Sequence, residues 1–123
     1  MLEMNNEVNQ LRLTRRKSST FFIKSEDNKY YPVVLDDINW ISATGNYCTI
    51  YANDKKFVVR ISLAKIKGYL LQSPFAQINK KDLINIHKIK MYNPLGVVIL
   101  GTKEFSVSRR FKKELESNLQ FLP

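Results

Sequence analysis

From Phe21 onward the chain alternates apolar and polar residues in short runs, and clusters of turn-forming residues cut each run off. A period of two puts successive side chains on opposite faces of an extended strand, so this pattern calls for β-sheet and leaves little room for long helices. The clearest run is Tyr47 to Ala52, with Cys48, Ile50 and Ala52 on one face and Tyr47, Thr49 and Tyr51 on the other. Asn53-Asp54-Lys55 then reads as a tight hairpin turn, after which Phe57, Val59 and Ile61 alternate with Lys56 and Arg60.

The remaining strands follow the same logic. Phe21-Phe22-Ile23 opens the domain, and Glu26-Asp27-Asn28 is a turn signal before Tyr30 to Val34. Pro32 has no N–H to give a ladder, so that strand belongs at an edge or a bulge. Asn39 to Ala43 is a strand ended by Gly45-Asn46. Short strands are expected at 75–78 and 83–86, around Asn79-Lys80-Lys81-Asp82. A hairpin is expected at 90–92 and 97–100, around Asn93-Pro94-Leu95-Gly96, with a last strand at 103–107.

Two stretches switch to helical spacing. Ser62 can cap a short helix whose Leu63, Ile66 and Leu70 share a face, with Gly68 weakening it and Pro74 beyond its end. Ser108 can cap a second helix, in which Phe111, Leu115, Leu119 and Leu122 form one apolar stripe opposite Arg110, Lys113 and Glu116. The fold class expected is mainly β: elongated antiparallel sheets of about nine or ten short strands, one central helix and one C-terminal helix.

A length of 123 residues suits one domain. Residues 1–20 read as a polar leader or linker, disordered or helical, that carries Arg15-Arg16-Lys17. They contain no secretory apolar stretch, and nowhere does an apolar run approach the roughly 20 residues that span a bilayer. A cytoplasmic protein with no membrane partner is expected. The single Cys48 cannot form an internal disulfide, and with the single His87 it cannot build a zinc site, so no metal is expected. Cys48 lies in an apolar run and reads as a small core residue. The chain has no GxGxxG, P-loop or GxSxG motif. Asp36-Asp37 and His87 are better explained as turn residues than as acid–base groups. Neither an enzyme nor a cofactor is expected.

Charge points to a partner. With 20 Lys and Arg against 11 Asp and Glu, the formal charge is +9. The segment from Phe75 to Lys113 carries +7 of this in under a third of the chain. Such a balance suits a polyanion. Nucleic acid is the first candidate. A basic interaction module for RNA, an acidic protein or an anionic membrane surface is the alternative. Three elements at strand breaks fit the first reading. Thr44-Gly45-Asn46-Tyr47 offers an exposed tip with donor and acceptor groups, or is a plain turn. The adjacent Lys80 and Lys81 can neutralise phosphates, or can form a solvated turn. Arg109-Arg110, with Lys112 and Lys113 behind them, oppose the macrodipole of the helix they start. A bound phosphate would reverse that sign.

These elements sit in four segments: LDDINWISATGNYCTIY, KKFVVRISLAKI, FAQINKKDLIN and LGTKEFSVSRRFKKEL. In that order and spacing, the chain resembles the LytTR family, the DNA-binding output domain of many bacterial response regulators in two-component systems. The resemblance runs from about Phe21 to Leu119, nearly all of the expected fold, and makes residues 21–123 the DNA-binding domain. It implies a transcription regulator that presents loops, rather than a recognition helix, to successive major grooves of bent double-stranded DNA. Carried over, Asn46 and Tyr47 match the first DNA-facing loop. Lys80 matches the contact position of the second, with Asn79 and Lys81 beside it as further DNA-binding residues, and Arg109, with Arg110 beside it, matches the third. Lys112 and Lys113 are then phosphate contacts. The resemblance also implies a DNA-dependent homodimer on paired sites and a receiver domain or sensor partner that this chain does not contain. Asn79-Lys80-Lys81 stands where the family often has a His-Arg-Ser triplet, and Ser42 where an acidic residue is frequent.

Overall fold

Each alternating run closes a hydrogen-bonded ladder with a neighbour, and the turns decide which neighbour. The computed structural model describes residues 20–123, so the expected leader lies, Thr20 apart, outside the described residues. Among these there are ten strands in three antiparallel sheets and two α-helices. Strand β1 (Thr20–Lys24) pairs with β2 (Tyr30–Val34), and Pro32 sits opposite Phe22 in a two-stranded sheet where both strands are edges. Their turn is organised by Asp27. It accepts hydrogen bonds from the Ser25 hydroxyl (2.6 Å), the Lys29 N–H (3.0 Å) and the Tyr31 hydroxyl (2.8 Å). These bonds, Ser25's first, hold the Asp27 carboxyl below its usual range.

The central sheet runs β5 (Lys55–Val59), β4 (Tyr47–Ala52), β3 (Ile38–Thr44), β7 (Asp82–Asn85), β6 (Phe75–Gln77). The third sheet runs β10 (Lys103–Ser106), β9 (Val97–Leu100), β8 (Ile89–Asn93). The central sheet carries a core on each face. On one face Ile38, Ile41, Cys48, Ile50 and Leu83 pack against Ile23 and Val33 of the β1–β2 hairpin. Ile66 and Leu70, from helix α1 (Leu63–Tyr69) and its C-cap, close the same core. On the other face Ala76 and Ile84, with Trp40, pack against Val98, Leu100, Phe105 and Leu115 of helix α2 (Arg109–Ser117). Strand β7 is covered on both sides and all four of its residues are buried, which is why Asp82-Leu83-Ile84-Asn85 lacks the polar–apolar alternation of the other strands. Its buried Asn85 is satisfied: the amide donates to the Ile38 carbonyl (2.9 Å) and accepts from the His87 N–H (2.9 Å).

The local signals act as expected at most points. The Ser62 hydroxyl accepts from the Lys65 N–H (3.1 Å) and starts α1, a cap worth about 1 kcal/mol. Asp36-Asp37 and His87 lie in two 3-10 turns, at Leu35–Asp37 and Ile86–Lys88. Cys48 is fully buried, and burial pushes its thiol up.

Helix α2 departs from the expected stripe. It ends at Ser117, where the Ser117 hydroxyl (2.7 Å) and the Asn118 amide (2.9 Å) both donate to the Glu114 carbonyl and take over its hydrogen bonding. Leu115 is fully buried and Leu119 packs at the core margin, but Leu122 lies past the helix at 93% exposure. Glu116, expected on the outer polar face, is half-buried and accepts from the Tyr92 hydroxyl (2.6 Å). Burial, then this bond to Glu116, pushes the Tyr92 phenol up to about 12.

Candidate nucleic-acid interface

In an antiparallel sheet the end of one strand lies beside the start of the next, so register decides which turns share an edge. Thr44 pairs with Tyr47 across the β3–β4 turn, and Ser42 pairs with Asp82, the first residue of β7. The β3–β4 turn and the β6–β7 turn therefore project from the same edge of the central sheet. The Ala43 N–H donates to the Lys81 carbonyl (2.8 Å) and fastens one turn to the other. Gly45 holds the first turn at φ +60°, the left-handed region that glycine enters without strain. Asn46 and Tyr47 beside it are exposed.

The start of α2 joins the same edge through the β6–β7 turn. The Ser108 N–H donates to the Ile78 carbonyl (2.9 Å), which brings Arg109 next to that turn. Asn79 is the fastener. Its Oδ1 accepts from the N–H groups of Lys81 and Asp82 (both 2.9 Å), and its Nδ2 donates to the Asp82 carboxylate (2.9 Å) and the Ser106 carbonyl (3.1 Å). An amide has two donors and two acceptor lone pairs, so the Asn79 side chain is fully occupied within the protein.

Of the residues singled out from sequence, Asn46, Tyr47, Lys80, Lys81 and Arg109 converge on this edge. Arg110 is exposed at the second position of α2, its guanidinium 5.3 Å from the Phe111 ring centre. Lys112 and Lys113 lie three and four residues after Arg109, so they continue its face of the helix away from the edge. Among the described residues the one ion pair is Lys67 with Glu114 at 3.9 Å. No carboxylate there pairs with the cations of the edge. Helix α2 also has no acidic residue in its first turn, and the Ser108 hydroxyl does not cap it. Arg109 and Arg110 are exposed at this helix start, with no carboxylate partner among the described residues.

A fourth bend, which the sequence did not single out, lies against the same helix start. The Val107 N–H donates to the Gly96 carbonyl (2.9 Å) in the β8–β9 turn. Gly96 has φ +115°, and a Cβ there would come within 3.2 Å of the Val107 carbonyl. Leu95 at the tip is 93% exposed. The proline and glycine of this turn are legible, but its neighbour is not, because main-chain atoms make the contact.

A mainly β fold in which three bends gather on one edge, whose cations have no carboxylate partner among the described residues, has the build of a polyanion-binding domain. The chain belongs to the LytTR family: the family profile, described as LytTr DNA-binding domain, matches residues 28–120. A solved structure is similar in fold, described as a LytTr DNA-binding domain from Bacillus cereus. It superposes with a TM-score of 0.72 at 18% identity, covering 84% of this chain and 98% of that one. No curated protein matches the chain. No described helix is long and apolar enough to cross a membrane.

Proposed function

We propose that this domain is a sequence-specific, double-stranded DNA-binding transcription regulator of the response-regulator type, working in the cytoplasm. The observation that carries the reading is the convergence of the Asn46, Lys80 and Arg109 bends on one edge whose cations have no carboxylate partner among the described residues. Arg109 and Asn46 reach base edges, where guanidinium and amide can each make bidentate bonds. Tyr47 packs beside Asn46 on the duplex. Lys80 and Lys81 are point charges without a planar fork and meet phosphates. Arg110, Lys112 and Lys113 add backbone contacts along α2. Asn79 is assigned to the site as a positioning residue, since its hydrogen-bonding groups are spent inside the protein. Paired sites would be occupied by two copies that meet on DNA, under control of a receiver or sensor partner.

Across the central sheet the edge is roughly 19 Å long, four gaps of about 4.8 Å. The start of α2 extends it further. That reach suits phosphates on either side of a groove about 12 Å wide.

The test is a binding titration on a duplex selected from random sequence, with single-stranded RNA and anionic vesicles as competitors at fixed salt. The duplex is expected to win. Arg109→Ala is expected to cost about 1–3 kcal/mol on the selected site and little on a scrambled one. Equal competition by RNA, or an Arg109→Ala loss within twofold on the selected site, would refute the reading.

A further inference from the structure

The basic edge does not stop at the β3–β4 turn. Strand β5 is antiparallel to β4, with Val59 opposite Cys48. One step beyond that pair, Arg60 comes level with Tyr47, at the same end of the sheet as the Asn46 tip. The chain then turns at Ser62 into α1, and Lys65 lies in the first turn of that helix. Gly45, Asn46, Arg60, Ser62, Lys65 and Tyr69 together line an open cleft of about 520 Å³. Arg60, Lys65 and Tyr69 are exposed. No acidic residue lines the cleft, and neither cation has a carboxylate partner among the described residues.

We infer that Arg60 and Lys65 form a second phosphate clamp, which takes the DNA backbone on the far side of the Asn46 tip from Lys80 and Arg109. This rests on the duplex-binding reading and extends it. The order along the edge is Arg60 and Lys65, then Asn46 and Tyr47, then Lys80 and Lys81, then Arg109. The base-reading tip therefore has cations on both sides. A tip flanked on one side only would be free to rock about its phosphate anchor. Two anchors fix its register, which is what backbone contacts contribute to recognition. Two exposed cations lining one cleft, with no acidic residue in its lining, favour an anion there. Tyr69 supplies a hydroxyl donor at the rim.

The test is the salt dependence of binding to a mixed-sequence duplex, read by fluorescence anisotropy between about 50 and about 200 mM salt with a probe of about 30 base pairs. Each phosphate contact contributes about 0.9 to the slope of log K against log salt. The double variant Arg60→Gln/Lys65→Gln is expected to lower the slope by about 1.8, a roughly tenfold smaller fall in affinity over that range. Lys55→Gln/Lys56→Gln is the charge-matched control, because those lysines open β5 at the opposite end of the sheet. It is expected to leave the slope within about 0.3 of the parent, well below one contact. The side chains of Arg60 and Lys65 make no hydrogen bond among the described residues, so both variants are expected to keep the parent unfolding midpoint. If Lys80→Gln lowers the slope but the Arg60/Lys65 variant does not, the clamp is wrong and the duplex reading stands. If the control lowers the slope as much as the clamp variant, the effect is net charge and the clamp is again wrong. If the parent shows no salt-dependent duplex binding, both fall together.

Discussion

Asn79→Ala separates what fastens the site from what touches DNA. The substitution removes four hydrogen bonds. The two with the Asp82 carboxylate and the Asp82 N–H are partly buried, and the two with the Lys81 N–H and the Ser106 carbonyl are exposed. Partly buried bonds contribute about 1 kcal/mol each and exposed ones about 0.5, so the loss is about 3 kcal/mol. Part of it arises because Asp82, 7% exposed, would keep its carboxylate with one donor fewer. Urea unfolding of parent and variant measures it, provided the m-values agree. The same change lets the Lys80–Lys81 turn drift from Arg109 without removing a charge. Duplex affinity is therefore expected to fall while the salt slope stays at the parent value, whereas Lys80→Ala lowers the slope by about 0.9. A stability loss under about 0.5 kcal/mol would refute the brace, since one bond alone is worth that. A slope lowered as much as by Lys80→Ala would refute the division between positioning and contact.

Three further outcomes are expected. Leu115→Ala, at a fully buried site in the second core, is expected to cost about 2–5 kcal/mol in urea unfolding, and a cost under about 1 would mean that α2 is not held by this residue. Gly96→Ala forces a left-handed residue and a close contact with the Val107 carbonyl; it is expected to destabilise by more than about 1 kcal/mol and to weaken duplex binding through the start of α2, while Gly68→Ala, which meets no atom within 4 Å and has no positive φ, is expected to be neutral or stabilising. Asp27 has its pKa lowered in the fold, so its contribution is complete above pH about 4 and is lost as pH falls through the lower folded value; amide protection factors in the β1–β2 hairpin, with the intrinsic pH dependence of exchange divided out, are expected to drop on that descent in the parent and not in Asp27→Asn.

The strands were legible because most are covered on one face only. Tyr47 to Ala52 shows it plainly: the three residues on its apolar side are all buried. Strand β7 gave a weaker signal for the opposite reason, since cores on both faces erase the alternation. The early end of α2 depends on Ser117 and Asn118 capturing one carbonyl, a competition that an apolar stripe does not register. At the site, the tips and their charges could be read, because turn residues and cations have side-chain signatures. Their convergence could not. It rests on main-chain bonds from Ala43 to Lys81, from Ser108 to Ile78 and from Val107 to Gly96, which any sequence could make. Asn79 is the intermediate case. An asparagine followed three residues later by aspartate is a turn-closing pattern, so its inward role was available from the sequence and was masked by its basic neighbours.

The sealed thiol of Cys48 turns the central sheet into its own recorder. The chain has a single cysteine, and burial both hides it from reagents and pushes its thiol up, away from the reactive thiolate. A thiol-modifying dye can colour a molecule only while the sheet is parted, so the pace of colouring counts openings beside Ala43 and Val59, the cross-strand neighbours of Cys48. A duplex held on the adjacent edge would slow that pace in proportion to its occupancy, and the protein would thus report its own ligand through a residue it already carries.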